Sequence, residues 1–318
     1  MIHEIEKFNP YHGPDGRFAS ANGATSFSAN PETVAGRNAI ERAGKEHPLI
    51  LLAYDNLNEA GGQEKEQAPK STAKQGLEKG LGKEHAEAVE KLIHDNAPKA
   101  VCDMWDKHGD QITVADAGYT GTAYSSNDGI HLNVAADAAG QMTRTGKPAR
   151  SPYQTTIHES AHAIDDAISA KLGYQFVTQY NGGYFEKLLI QESNDYIKNY
   201  QKKLQGSRGS KVSIDEARRE LARSLFTEGD YLSTGMLSDI LGGATKGKFQ
   251  GTSGHSKSYW TGWKDYFGNV HAAHSVATEA WAHFTSTAAN GKSAARLKEV
   301  FPKSYGEYLS MCEFAATL

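Results

Sequence analysis

An α+β fold, mainly helical with a small β-sheet edge ahead of one central helix, is predicted by three observations. From Glu84 onward, apolar residues recur at helical spacing through most of the chain. One segment, residues 111–134, changes to the two-residue period of strands. Between the strands and the later helices lies Ser151-Pro152-Tyr153-Gln154-Thr155-Thr156-Ile157-His158-Glu159-Ser160-Ala161-His162-Ala163-Ile164-Asp165-Asp166, which reads as a well-marked helix start.

Taken in order, residues 1–30 are rich in Gly, Ser, Asn and Pro, carry the turn Gly13-Pro14-Asp15-Gly16 and show no apolar period, which predicts a flexible arm. Residues 31–83 form a helical and linker segment. A helix is expected from Pro31 through the apolar Leu49–Leu52 patch, followed by a solvated linker or loose polar helix over 56–83. The compact domain is expected over 84–318. Ala86, Val89, Leu92 and Ile93 mark a helix ending before Pro98. Ile112, Val114 and Ala115 lead to Tyr119 and Tyr124. The turn Asn127-Asp128-Gly129 then introduces a strand Ile130–Val134, in which His131 and Asn133 take the polar face and His131 is expected to be solvated.

In the central stretch Ser151 is the expected N-cap, Gln154 completes a capping box, Pro152 fits the first helical position and Gly173 ends a helix of about 21 residues, or ~31 Å. Downstream, a polar amphipathic helix is expected over Gly183–Leu204, and a loop over 206–211. A second capping box at Ser213-Ile214-Asp215-Glu216 opens the next helix. A short helix Leu237–Leu241 ends at Gly242-Gly243, residues 244–258 read as loop, and the last helices cover Val276–Ala289 and Ser293–Ala316, the latter interrupted near Pro302.

Composition narrows the function classes. The 318 residues carry a formal charge of −4, so no basic field points to nucleic acid or a membrane surface. Mean hydropathy is −0.59, polar enough to expect a poorly ordered portion. Cys102 and Cys312 are far apart and form no C-x-x-C pair, which predicts two reduced, mostly buried thiols rather than a disulfide framework or a cysteine zinc site. The run Pro48–Tyr54 is too short to span a membrane, and the first residues lack the pattern of a signal peptide, so cytoplasmic synthesis is expected.

The central helix carries the chemistry. His158 and His162 are four residues apart and share one helical face, while Glu159 sits about 100° round the axis beside them. This is the H-E-x-x-H arrangement, two imidazoles for Zn²⁺ with a glutamate as general base. A catalytic zinc takes a third protein ligand. Glu279, in Thr278-Glu279-Ala280-Trp281-Ala282-His283-Phe284, is either that ligand or a first-turn glutamate favouring its helix dipole, and spacing alone leaves the two even. His271, His274 and His283 are alternative ligands. Asp165 and Asp166 fall near the metal-facing side and are expected either to accept a hydrogen bond from a ligand histidine or the third-ligand helix, or to lie solvated on the helix surface. A strand at Ile130–Val134 would offer an edge for an extended substrate.

His158-Glu159-Ser160-Ala161-His162-Ala163-Ile164-Asp165-Asp166, followed over a hundred residues later by Glu279-Ala280-Trp281-Ala282, resembles the metallopeptidase domain of anthrax-lethal-factor-like zincins. The segment Leu297–Tyr305 is similar in style to that family's last helix. Asp239–Thr245 and Gly254–Trp260 look more specifically like zincin domains encoded in phage and prophage genes, near or fused to minor head proteins. Phe8–Ser20 resembles a short motif of phage head-morphogenesis proteins. The zincin resemblance covers roughly residues 110–318. It implies a mainly helical zincin domain of the gluzincin type, Glu279 as third ligand, Zn²⁺ as cofactor, a peptide or protein substrate, and head proteins as partners. It also implies a tyrosine that stabilises the oxyanion, about two helical turns before the third ligand. Ala272 occupies that spacing here, so Tyr259 is the substitute and Tyr266 the second choice. A zinc endopeptidase is the expected function. A head-associated assembly protein with a non-catalytic domain, or a protease toxin, are the rival readings.

Overall fold

Helices dominate and the strands are few and short, which makes the architecture α+β. The computed structural model describes residues 72–142, 146, 148–227, 231–251, 254–264 and 270–318. The chain divides into two units, one of Lys70–Thr178, Phe185–Ala316 and Leu318, the other of Met1–Pro69, Gln179–Tyr184 and Thr317. The arm at 1–30, the helix from Pro31 and the polar run up to residue 71 lie outside the described residues.

The first unit begins earlier than the expected boundary at Glu84. Helix α1 (Thr72–Leu81) takes the helical alternative for this run, but packed rather than loose, since Leu77 and Leu81 are buried. Close approach explains the difference: a β-carbon at Gly80 would lie 2.3 Å from Val114, so glycine alone lets this polar-looking helix reach the sheet. Helices α2 (Lys83–Asn96) and α3 (Lys99–His108) follow. Val101, Met104 and Trp105 bury one face of α3, and Trp105 donates to the buried Glu90 at 2.9 Å.

Strands β1 (Val114–Asp116), β2 (Tyr124–Ser126) and β3 (Gly129–His131) form a sheet of order β1-β3-β2, parallel between β1 and β3 and antiparallel between β2 and β3. The hairpin turn falls where predicted, but the strand is shorter than Ile130–Val134. Asn133 accepts the Ala136 N–H at 2.9 Å and starts helix α4 (Val134–Ala139). The edge also lies elsewhere. β3 is the central strand, paired on both sides, and β2 is the edge that packs on the central helix. His131 is part-buried rather than solvated, stacked on Tyr124 at 4.5 Å and bonded to Asp128.

A two-stranded ribbon, β4 (Gln141–Met142) with β5 (Pro148–Arg150), leads into α5 (Gln154–Leu172), the central helix. Its start differs from the expected Ser151 cap. The N-cap position belongs to Tyr153, held at φ 63°, which offers no side-chain cap. The Gln154 half of the capping box does form, accepting the Ser151 N–H at 2.9 Å. The free amides of the first turn go instead to Asp137 of α4, which accepts Thr155 N–H at 2.9 Å, Thr156 N–H at 3.2 Å and the Thr156 hydroxyl at 2.6 Å. The helix stops at Gly173 as predicted.

Helices α6 (Phe176–Gln179), α7 (Tyr184–Arg208), α8 (Ile214–Thr227) and α9 (Tyr231–Ala244) come next. Helix α7 runs four residues past the expected Leu204, and α9 is much longer than the expected Leu237–Leu241. At the start of α8, Ser213 accepts the Glu216 N–H at 3.1 Å, as its capping box predicts. A short helix α10 (Lys257–Thr261) falls partly within the expected loop 244–258, and a ribbon of β6 (Trp263–Lys264) and β7 (Val270–His271) follows. Then come α11 (Val276–Ala288), α12 (Gly291–Val300) and α13 (Pro302–Ala316), with the predicted break at Pro302. Glu192 of α7 caps α13 by accepting Lys303 and Ser304 N–H, both at 2.9 Å.

The core centres on α5 packed against α11, with α13 against α3. Trp281 and Phe284 of α11 and Tyr308 of α13 are fully buried and meet edge to face, Trp281 and Phe284 each 5.4 Å from Tyr308. Cys102 and Cys312 are free, the latter buried. No helix among the described residues is long and apolar enough to cross a membrane.

Candidate metal centre

Two helices meet at the candidate site. α5 presents His158 and His162 from successive turns, their rings 5.0 Å apart. α11 presents Glu279 from its first turn, 4% exposed, opposite both rings. Ala280 and Ala282 are fully buried beside it, so small side chains permit the close packing of the two helices. Glu279 Oε2 lies 3.6 Å from His158 Nε2, and Oε1 lies 3.9 Å from His162 Nε2. One ligand atom from each of the three lies within 4.8 Å of the other two. Tetrahedral zinc with bonds near 2.1 Å wants its ligand atoms ~3.4 Å apart, so the set is close to a fit.

An independent observation points the same way. Glu279 Oε2 is buried and accepts no hydrogen bond. A buried carboxylate oxygen without a partner is costly, and a cation between it and the two imidazoles would satisfy it. Burial pulls His158 down to about 3 and also lowers His162, so both rings are neutral, the form that ligates a metal.

Glu159 points into the same cleft, 7% exposed. Burial pushes its pKa up to about 8, with the Glu279 carboxylate adding to the effect and Arg150 and the Ser125 backbone amide of β2 opposing it. A bound cation would bring it back down. The cleft is about 1170 Å³. It is lined by the three candidate ligands and Glu159, and by Tyr124 and Ser125 of β2.

Tyr259 of α10 donates its hydroxyl to Glu279 Oε1 at 2.5 Å. Its ring is held between two imidazoles, His255 and His274, each at 3.8 Å. Burial, together with the Glu279 carboxylate, holds its phenol far above the ordinary value, so it stays a donor. Tyr266 lies outside the described residues.

The two aspartates divide, and neither bonds a candidate ligand. Asp165 turns its carboxylate to the Val177 N–H at 3.1 Å and the Ser169 hydroxyl at 3.5 Å, tying down the segment after the helix, and burial pushes its pKa up to about 7. Asp166 is exposed at the cleft wall, as the solvated alternative expects, and feels His162 only through space. The hydrogen-bonded carboxylate beside the centre is Asp239 of α9. It takes His283 Nε2 at 3.2 Å, His255 Nδ1 at 2.9 Å and the His255 backbone N–H at 2.5 Å. Burial alone would raise the Asp239 pKa, but these imidazoles outweigh it and hold the group well below the carboxylate range, while His255 is raised.

Asp239 was visible only as a polar residue in the apolar run Met236-Leu237-Ser238-Asp239-Ile240-Leu241, all of it buried. An aspartate that a helix buries needs partners, and that was the available clue. Of the alternative ligands, His283 stands 4.7 Å from the His158 ring but gives its Nε2 to Asp239. His274 packs on Tyr259, and His271 stacks on Trp263 at 4.0 Å away from the cleft.

Compared with protein-family models, curated proteins and solved structures, the chain has no match. The reading of the site therefore stands on its geometry.

Proposed function

We propose that the chain is a zinc-dependent endopeptidase of zincin type. The observation that carries this is the orphaned Glu279 oxygen facing two neutral imidazoles, with the buried Glu159 in the same cleft. His158, His162 and Glu279 would hold the ion. Zinc held there would supply Lewis acidity for a peptide carbonyl and for a water molecule, whose pKa such an ion lowers to about 7.

Glu159 takes the proton of the attacking water and hands it to the departing amine nitrogen. Once Glu279 holds the ion, Tyr259 would turn its hydroxyl from Glu279 Oε1 to the carbonyl oxygen and donate as negative charge grows there. β2 is an edge strand, and an extended peptide added to its outer side would run past Glu159. A protein or peptide is thus the substrate class.

The test is a metal assay paired with a peptide-library digest. The parent binds one zinc and cleaves. Glu159→Gln keeps the zinc and loses turnover, and His158→Ala loses both. A parent purified without chelators that neither carries nor takes up zinc would remove the reading.

A further inference from the structure

A second group of ligand-type side chains lies where α2 meets α3. Glu90 and His94 stand one turn apart on α2, and Asp106 comes from the last turn of α3; none of the three lines the cleft. His94 Nε2 is 3.1 Å from Asp106 Oδ1 and 3.3 Å from Glu90 Oε2. One ligand atom from each lies within 4.8 Å of the other two. A tetrahedral ion with bonds near ~2.1 Å sets its ligand atoms ~3.4 Å apart, close to both measured spacings.

Two observations separate this group from a surface ion pair. Glu90 is 7% exposed, and among the described residues no lysine or arginine pairs with it. Its Oε1 takes the indole N–H of Trp105, the residue next to Asp106, at 2.9 Å, which turns Oε2 toward the His94 ring. An outer hydrogen bond that holds one oxygen and leaves the other free is how a ligand carboxylate is aimed. The second observation is that a single ring nitrogen faces carboxylate oxygens from two helices. Nε2 carries at most one proton, and Asp106 Oδ1 takes it. Charging the ring adds its proton at Nδ1, so Glu90 Oε2 gains no hydrogen bond that way. A cation on the Nε2 lone pair would serve all three groups at once.

We propose that Glu90, His94 and Asp106 form a second metal site, separate from the candidate centre, that takes a zinc-class divalent ion and clasps α2 to α3. The donor set selects the ion. One imidazole nitrogen with two carboxylate oxygens suits zinc and its transition-metal neighbours, whereas calcium and magnesium want shells built from oxygen. The side chain of His94 is 41% exposed, so the ion enters from solvent and keeps water in its remaining position. Helix α3 packs on α13, so the clasp ties α2 to the core through its neighbour. The site does not depend on the peptidase reading.

The experiment uses the full chain carrying His158→Ala and His162→Ala, which removes the candidate centre, with zinc chloride as the probe. Dialysis against roughly 10 μM free zinc should load about one equivalent and raise the melting temperature. Adding His94→Ala should abolish both effects. Glu90→Gln, which leaves an acceptor for the Trp105 indole, should weaken binding on the order of ten-fold. Millimolar magnesium or calcium should not displace the zinc. If the double variant fails to fold, the same dialysis on the otherwise unaltered chain decides: His94→Ala should lower the bound zinc by about one equivalent. Zinc uptake unchanged by His94→Ala would mark an adventitious ion only, and no uptake would leave His94 a plain ion pair. Either result overturns the second site and leaves the peptidase reading untouched.

Discussion

The indole N–H of Trp281 donates to the backbone carbonyl of Ala161 at 3.0 Å. Ala161 sits between His158 and His162 in the chain, and Trp281 lies two residues past Glu279, so this one bond joins the two helices that carry all three candidate ligands. Trp281→Phe keeps an aromatic ring in a fully buried position and removes the donor. We expect a loss of about 1–2 kcal/mol in stability and a zinc dissociation constant roughly ten-fold higher. Thermal melts and chelator competition read the two effects. Unchanged zinc affinity would show that the helices hold their spacing without the bond.

Asp137→Ala removes the acceptor for the first turn of the central helix. Two buried amides and a hydroxyl lose their partner, for a cost of roughly 3 kcal/mol. The cost depends on pH in a defined direction. Burial by itself would raise the Asp137 pKa, but hydrogen bonds from His85, Thr156 and Thr155 hold it below the usual value. Its stabilisation is therefore present above the ordinary aspartate pKa and lost as pH falls through the depressed one. The gap in melting temperature between parent and variant should close below about pH 4.

Asp165 predicts the opposite slope. Burial, with Asp166 adding to it, raises its pKa to about 7, so the folded protein gains from the protonated form at low pH and loses that gain as pH rises toward 7. Asp165→Asn keeps an acceptor for the Val177 N–H and cannot ionise. Relative to the parent, its stability should climb between about pH 4 and pH 7 and level off above, with a ceiling of about 4 kcal/mol. A flat difference across that range would mean that the carboxyl titrates normally.

Tyr259→Phe leaves the ring between His255 and His274 and deletes the hydroxyl. Zinc binding should persist. kcat should fall on the order of a hundred-fold, with KM little changed. Full activity in this variant would remove Tyr259 from the catalytic scheme.

Much of the helical frame was legible because it depends on local rules: apolar period, Gly173 as a stop, and Pro302 as a break. The spacing of His158 and His162 was legible for the same reason, since a helix turns four residues into neighbours. What escaped depended on distant partners. The cap of the central helix comes from Asp137, not from Ser151, because Tyr153 takes a left-handed turn that leaves the nearby serine out of place. The fold unit extends to α1 because Gly80 lets that helix close on Val114 of β1 and bury Leu77 and Leu81, which no composition window detects. Asp165 shares a helix and a cleft wall with the ligands but spends its carboxylate on the Val177 amide, and Asp166 reaches His162 only through space. Asp239 reached the centre from another helix altogether. The position of β3 between β1 and β2 followed from a parallel pairing across a loop, and hairpin reasoning sees only the antiparallel partner.

Gly254 has a consequence for which sequences this fold tolerates. The position is exposed, and by exposure alone it would accept nearly any residue. Its backbone angle and the 2.6 Å approach to Asp239 exclude a β-carbon altogether. In a saturation library screened for fold integrity or zinc retention, position 254 should be as restrictive as a core residue. A surface site would then show a core-like mutational profile, imposed by a neighbour's carboxylate.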